Sequence, residues 1–320
     1  MSRYIRQTVL PQVGQDGQER LRAAHVLVVG VGGLGVPVLQ YLAGAGVGKL
    51  ALIDADHVEE GNLHRQPLYR MADIGRPKVQ VAAEAIRAIN PHVQTCPEVA
   101  WLDPDTAPGL VAAADLVLDC ADTFAASLTL SDACRAVDTP LIIASALGLQ
   151  GYVAGFCGTA PSFRAIFPEL PISAPTCATA GVLGPVVATM GTLQAQMALS
   201  VLLDLSPSPL GQMLVFDAER WRMVDFRFDD APEPAAPLLF IAASTIAAGD
   251  LVIDLRTEEP VPFRPDALHL SADALSELSV APGTTRIVLA CRTGLRAHNS
   301  AVALRTRWPG EIALLSVPDG

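Results

Sequence analysis

The chain has 320 residues, 51% hydrophobic and 17% charged, enough to bury a substantial core, which excludes global disorder. Its 22 basic and 33 acidic side chains leave a formal charge of −11, which argues against nucleic acid as a general partner. The six cysteines lie far apart with no C-x-x-C pair, and no apolar run follows Arg3-Tyr4-Ile5-Arg6. A reduced, cytoplasmic setting without a secretory leader is expected.

Residues 1–25 predict an arm and a helix, with Gly14-Gln15-Asp16-Gly17 as the turn between them. The apolar residues 26–29 then run into Gly30-Val31-Gly32-Gly33-Leu34-Gly35, the pattern of a buried parallel strand, a Gly-rich turn and a helix from Leu34. Glycine lets the backbone turn sharply and approach a phosphate, and the first N–H groups of the helix favour an anion. Strand and helix signals alternate onward: strand 50–54, helix 78–89 between Pro77 and Pro91, strand 93–99, helix 106–113, strand 116–120, a helix from Phe124, and strand 141–144. This alternation predicts an α/β fold whose parallel sheet is covered on both faces. Residues 150–157, 212–216 and 222–228 read as antiparallel strands. Residues 178–203 carry no charge and are long enough to cross a bilayer. Their glycines, Pro185 and glutamines, without a basic flank, favour a buried core helix and no membrane. Residues 229–237 have the Pro, Ala and acid content of an extended linker. A small α/β domain is expected over 238–320, with strands 251–255 and 287–290 and a helix over 295–306.

Asp54 ends the second strand, where an acid holds a ribose hydroxyl, and so far NAD, FAD and ATP all stay open. Arg65, within Gly61-Asn62-Leu63-His64-Arg65-Gln66, and Lys78 at a helix head add two cations beside the turn. A dinucleotide oxidoreductase has no need of them. Attack on a triphosphate does, because charge accumulates on phosphoryl oxygens. Asp122, just past the strand 116–120, is placed to hold Mg²⁺ between phosphates. In the second domain, Asp254-Leu255-Arg256 and His269 precede Cys291-Arg292-Thr293-Gly294-Leu295-Arg296. A cysteine at a strand end, beside turn N–H groups, two guanidiniums and a helix N-terminus, sits in a setting that lowers thiol pKa and stabilises a persulfide.

Taken together, Arg3-Tyr4-x-Arg6-Gln7, the turn from Val29 to Gly35, Asp54-x-Asp56, Asn62-Leu63-x-Arg65-Gln66, Gly75-x-Pro77-Lys78, Asp119-Cys-x-Asp122, Thr176-Cys177 and Ala180-Gly181-Val182 resemble one family. Across residues 3–228 the chain is similar to the E1-like activating enzymes of sulfur-carrier proteins, the MoeB/ThiF/HesA family of adenylyltransferases. The resemblance implies a Rossmann-like domain over 1–228, its parallel sheet continued by antiparallel strands. It implies that Gly32, Gly33, Asp54, Asn62, Arg65, Lys78 and Asp122 bind ATP, Asp122 through Mg²⁺, and that Arg6 reaches into the neighbouring subunit of a homodimer. Cys177 resembles the family cysteine that accepts an acyl group or a sulfur. The implied reaction is attack by the carboxylate of a small ubiquitin-like carrier ending in Gly-Gly on the α-phosphate of ATP, with loss of pyrophosphate. The loop from Cys291 to Arg296 is similar to the active loop of rhodanese-like sulfurtransferases. Such a fusion implies sulfur from a cysteine desulfurase or thiosulfate, carried as a Cys291 persulfide and delivered as a thiocarboxylate, as in molybdopterin or thiamin synthesis.

Three departures qualify this expectation. Many relatives hold zinc with two C-x-x-C pairs, but here Ser162 and Ala165 occupy the first pair and residues 229–233 hold no cysteine. No zinc is therefore expected, and packing alone should hold that segment. Thr123, Ser127 and Ser131 replace the usual Asn, Arg and Asn, which thins the polar lining of the adenylation pocket. The stretch between Arg256 and His269 is short. Two other readings stay open: a nicotinamide oxidoreductase, and a non-catalytic or altered-substrate ATP-binding module that holds a carrier or partner protein.

Overall fold

The computed structural model describes residues 3–172, 180–281 and 283–318. The chain opens with α1 (Ile5–Thr8) and α2 (Gly14–Ala23). The turn expected at residues 14–17 is instead the first turn of α2. Gly17 packs so closely that a Cβ there would meet Leu203 at 2.9 Å, and buried Gln18 donates to the Ala45 carbonyl at 3.0 Å. Tertiary packing overrides the local preference of two glycines.

Alternation then proceeds as β1 (His25–Val29), α3 (Gly35–Ala45), β2 (Lys49–Ile53), α4 (Lys78–Ile89), β3 (Gln94–Glu98), α5 (Ala107–Ala112), β4 (Leu116–Asp119), α6 (Phe124–Ala136) and β5 (Leu141–Leu147). It continues through β6 (Gln150–Phe156), α7 (Phe163–Ile166), α8 (Gly184–Leu202), β7 (Gln212–Asp217) and β8 (Arg222–Arg227). These strands form one eight-stranded sheet in the order β3-β2-β1-β4-β5-β6-β7-β8. The first five are parallel and the last three antiparallel. Val28 pairs with Leu52 on one side and Leu118 on the other, and residues 26–29 of β1 and 116–118 of β4 are apolar and buried, as strands covered on both faces must be. Strand order reverses at β1, so a crevice opens over the carboxyl ends of β1 and β4.

Helix α8 is long and apolar enough to cross a membrane, but it lies against α3 and the sheet. A Cβ on Gly191 would come within 2.4 Å of the Leu34 carbonyl. Fully buried Gln194 donates to the carbonyls of Asp119 (2.8 Å) and Ile142 (2.9 Å), stitching the helix to β4 and β5.

A second, four-stranded sheet contains β9 (Leu251–Asp254), β10 (Leu268–His269), β11 (Arg286–Cys291) and β12 (Glu311–Ser316), all parallel, in the order β10-β9-β11-β12. It carries α9 (Ala272–Ser276) and α10 (Leu295–Arg305). The two sheets share an apolar core that runs from Val29 and Ile53 through Ala125 and Leu128 to Phe240, Leu255 and Leu289. The segment between them is not a free linker. Glu233 accepts from Ser162, Arg305 donates to the Ala236 carbonyl at 2.7 Å, and Leu314 donates to the Leu239 carbonyl beside β12.

Candidate active site

Gly30 closes β1 with φ +88°, and a Cβ there would stand 2.6 Å from the Cys120 carbonyl, so no other residue fits this turn without strain. A Cβ on Gly33 would come within 2.7 Å of Val187. Asp54, just past β2, is held by both oxygens: Oδ2 accepts from the Val31 N–H and Oδ1 from the Asp56 N–H, each at 2.8 Å. Burial raises its carboxyl above the usual range, against the pull of nearby Lys78. Tyr69 braces the same turn by donating its hydroxyl to the Val31 carbonyl at 2.6 Å.

Pro77 ends the extended approach to α4 and sets Lys78 as its first residue. The Lys78 side chain is nearly buried, with Nζ 2.7 Å from the half-exposed carboxylate of Asp56. Arg65 rests on the Gly61 carbonyl at 3.2 Å and the His64 ring at 2.9 Å, with no carboxylate paired to it among the described residues. Asn62 donates to Glu59 at 3.1 Å and accepts from Gln66 at 3.2 Å, while the buried side-chain oxygen of Gln66 has no partner. Gly32, Gly33, Asp54, Asn62, Arg65, Lys78 and Asp122 all border a single cavity of about 510 Å³, within the range of small-molecule sites. The sequence-predicted set thus converges, with exposed Asp122 at the cavity rim.

Some other lining residues had no part in a nucleotide site assigned from sequence, Thr293 and Leu295 having been read only as members of the Cys291 loop. Asp56 and Gln66 belong to motifs already quoted, where their type alone gave no function. Trp101 and Leu102 reach the cavity from the irregular segment after β3, and Thr293 and Leu295 come from the second sheet's side of the molecule.

Behind the cavity Asp119 is buried and accepts from the Ala121 N–H at 3.0 Å and from the Ser127 hydroxyl at 2.5 Å. Burial lifts its carboxyl to about 7, with the two hydrogen bonds opposing. Ser127 borders the cavity with its hydroxyl committed to Asp119, and Thr123 caps α6 by accepting from the Ala126 N–H at 3.3 Å. Ser131 does not line the cavity. It is fully buried and accepts from the Phe163 N–H at 3.0 Å, so its replacement bears on packing rather than on the pocket.

The segment expected to be held by packing alone is held by a polar clamp. Ser162 donates its N–H (2.7 Å) and hydroxyl (2.6 Å) to the two oxygens of Glu233, and neighbouring Arg164 forms a two-pronged pair with Asp132 at 2.6 and 2.8 Å. Among the described residues no group of three or more His, Cys, Asp or Glu side chains is arranged to hold a metal.

At the end of β11, the Cys291 sulfur accepts from the Ala297 N–H at 3.3 Å, and the Gly294 and Arg296 N–H groups also favour its thiolate. Burial outweighs these donors: the side chain is 2% exposed and its pKa is raised, not lowered as the loop sequence suggested. The loop's guanidiniums are matched by acids from the segment after β9. Arg292 donates to Glu259 at 2.7 Å, and Arg296 donates to Glu258 at 2.8 Å and to the Leu255 carbonyl. Arg256 forks onto buried Asp254, and His269 donates to the Arg256 carbonyl at 2.9 Å. The loop abuts the other domain through the Ala125 N–H, which donates to the Thr293 carbonyl at 3.1 Å. Thr293 and Leu295 border the cavity, whereas Cys291, Arg292, Gly294 and Arg296 do not. Arg6 is exposed on α1, away from the cavity of its own chain. Cys177 lies outside the described residues.

A Gly-rich turn at a strand-order reversal, a fixed acid on the next strand and cations across the cavity define a doubly wound nucleotide-binding protein. Residues 4–237 match the ThiF family, and the chain belongs to it. It is 44% identical over 230 residues to the adenylyltransferase and sulfurtransferase uba4 of Aspergillus fumigatus, covering 68% of this chain and 47% of that protein. With the adenylyltransferase and sulfurtransferase MOCS3 of Bos taurus it shares 46% over 228 residues, 70% of this chain and 50% of that one. The sulfur carrier protein adenylyltransferase of Thermus thermophilus is 42% identical over 226 residues, 68% of this chain and 83% of that protein. The chain therefore spans about half the length of uba4 and MOCS3. Among solved structures, E. coli MccB with MccA-N7isoASN superposes with a TM-score of 0.65 at 20% identity, over 73% of this chain and 74% of that one, a likeness of fold.

Proposed function

We propose that this chain is an ATP-dependent adenylyltransferase that activates the C-terminal carboxylate of a small ubiquitin-like sulfur carrier. The observation that carries this reading is the convergence of the Gly turn, Asp54, Asn62, Arg65, Lys78 and Asp122 on one cavity. The carrier's carboxylate attacks the α-phosphorus of ATP, the bond to the bridging oxygen breaks, and pyrophosphate leaves with its electron pair. Backbone at Gly32 and Gly33 lies along the phosphates, Asp54 takes a ribose hydroxyl, and Arg65 and Lys78 stabilise charge on the phosphoryl oxygens. One carboxylate at the rim suits Mg²⁺, which takes few protein ligands beside phosphate oxygens; Asp122 would hold it, and it would neutralise phosphate charge. A Gly-Gly tail fits because only glycines thread a narrow approach to a covered phosphate.

The sulfur step is assigned to Cys291, whose turn of N–H donors is suited to a persulfide loaded by a desulfurase or thiosulfate. The outer sulfur attacks the acyl carbon and AMP leaves; an external thiol then attacks the Cys291 sulfur of the acyl disulfide, freeing the thiocarboxylate and leaving a mixed disulfide that a second thiol reduces. Cys177 as a second acceptor, a homodimer joined through Arg6, and a cytoplasmic location complete the proposal.

ATP–pyrophosphate exchange tests it. Exchange that appears only with a carrier ending in Gly-Gly is the expected result, and Cys291→Ala should keep exchange while losing thiocarboxylate formation. A second reading, a non-catalytic ATP-binding module holding a partner protein, draws on the commitment of Ser127 to Asp119 and the covered Cys291 sulfur. It predicts nucleotide binding without exchange for any carrier.

A further inference from the structure

The loop that carries Cys291 has two faces. On one, the sulfur is buried against the N–H of Ala297; on the other, Thr293 and Leu295 form part of the wall of the cavity between the Gly turn and α6. Gly294, between the two wall residues, has φ +86°, and a Cβ there would stand 2.5 Å from the Phe240 ring and 3.0 Å from Ala125. The docked loop has no slack there. Its backbone is tied to α6 by the Ala125 N–H, three residues beyond Asp122 and between Phe124 and Ala126, which line the same cavity.

We infer that the Cys291 loop is a wall of the nucleotide site, and that a nucleotide in the cavity holds the loop shut over Cys291. The thiol is loaded while the cavity is empty and guarded while it is full. This rests on the reading of the cavity as a nucleotide site. A sulfur donor cannot reach a sulfur in a side chain 2% exposed without moving the loop or the domain that bears it. Either motion separates Thr293 from Ala125 and withdraws Leu295 from the cavity. A bound nucleotide meets Thr293 and Leu295 only in the docked state, so it stabilises that state by its differential contacts. By linkage the docked loop strengthens nucleotide binding by the same factor. Thr293 and Leu295 are thus positioning residues for the nucleotide as well as members of the sulfur loop. The order of events follows: sulfur loading precedes nucleotide binding, and delivery of that sulfur to the acyl carbon waits until loss of pyrophosphate weakens the contacts that hold the loop docked.

The test uses the full chain and a non-hydrolysable ATP analogue. Alkylation of Cys291 by iodoacetamide is followed by mass spectrometry of its peptide, with and without saturating analogue, and analogue affinity is measured by calorimetry. Saturation is expected to slow Cys291 alkylation at least about fivefold. Leu295→Ala should weaken analogue binding by about three- to tenfold and reduce the protection with it. Ala125→Leu, which crowds Gly294, should speed alkylation in the absence of nucleotide. Analogue binding with no change in the Cys291 rate, or unchanged affinity in Leu295→Ala, would overturn the inference alone. A wild-type chain that binds no analogue would overturn the functional reading and this inference together.

Discussion

At the carboxyl ends of β1 and β2 the cations face open space: Arg65 leans on a carbonyl and an imidazole, and the partner of Lys78 is a half-exposed aspartate at the cavity edge. At the carboxyl end of β11 the guanidiniums are turned away, Arg292 onto Glu259 and Arg296 onto Glu258. Both places combine a Gly-bearing turn, a helix N-terminus and two cations. One is the proposed anion site, and the other is a closed thiol. What separates them is where the acids lie, since Glu258 and Glu259 are more than thirty residues before the loop they neutralise. An anion cradle is defined by its balance of charge and its access to water, not by its donors.

The comparison breaks most visibly at Lys78. Lys78→Ala should lower ATP–pyrophosphate exchange by about a hundredfold or more, as loss of a group that stabilises transition-state charge does. Stability should change little, because Asp56 stays hydrated. Exchange surviving in that variant would mean that the cavity's charge is ornamental.

Asp119 tests the buried floor between the two regions. Its carboxyl is raised from 3.8 to about 7, so the folded chain holds a proton that the unfolded chain has released between these values. Its contribution to stability falls as pH rises through that window and is level above it. Asp119→Asn can keep both partners, accepting from Ala121 and donating to Ser127, and removes this slope. Urea unfolding at about pH 5 and about pH 8 should show the variant gaining on wild type by about 2–3 kcal/mol at the higher pH. A constant difference between the two proteins would contradict the burial argument.

A smaller effect is expected at the clamp. Glu233→Ala leaves the Ser162 N–H and hydroxyl without an acceptor and should cost about 1–2 kcal/mol in urea unfolding. Smallest is Glu258→Gln. Releasing Arg296 should move the pH profile of Cys291 alkylation downward and raise its rate near neutrality about two- to threefold, the scale of a solvent-screened charge. An unmoved profile would show that covering, not charge pairing, governs the thiol.

Most of the large sheet was legible because its signals were local. The apolar run before Gly30, the Pro77–Lys78 start of α4 and the uncharged run that becomes α8 each name their element from within. The convergence of Asp54, Lys78 and Asp122 was legible for a related reason: Asp54 and Asp122 stand just beyond strand ends and Lys78 at a helix head, and parallel β–α units bring such positions to one edge; Arg65 reaches the same edge from the segment between β2 and α4. Long-range features were not. Residues 312–315 form a short apolar run that periodicity cannot distinguish from a helix fragment, and only pairing with β11 makes it β12. The Ser162–Glu233 clamp joins residues 71 apart, and the covering of Cys291 depends on the docking of two sheets. Family likeness pointed to Ser131 as pocket lining, because alignment carries position but not the direction of a side chain.

The segment joining the sheets has one more consequence. Nine free residues would behave as a random coil whose ends lie roughly 15–18 Å apart on average, and the encounter of two tethered centres would depend on that length. Here the segment is tied at Glu233 to one sheet's domain and at Ala236 to the other's. The effective molarity of the sulfur loop at the nucleotide wall is therefore set by docking geometry, and lengthening the joint between those two ties would leave it unchanged.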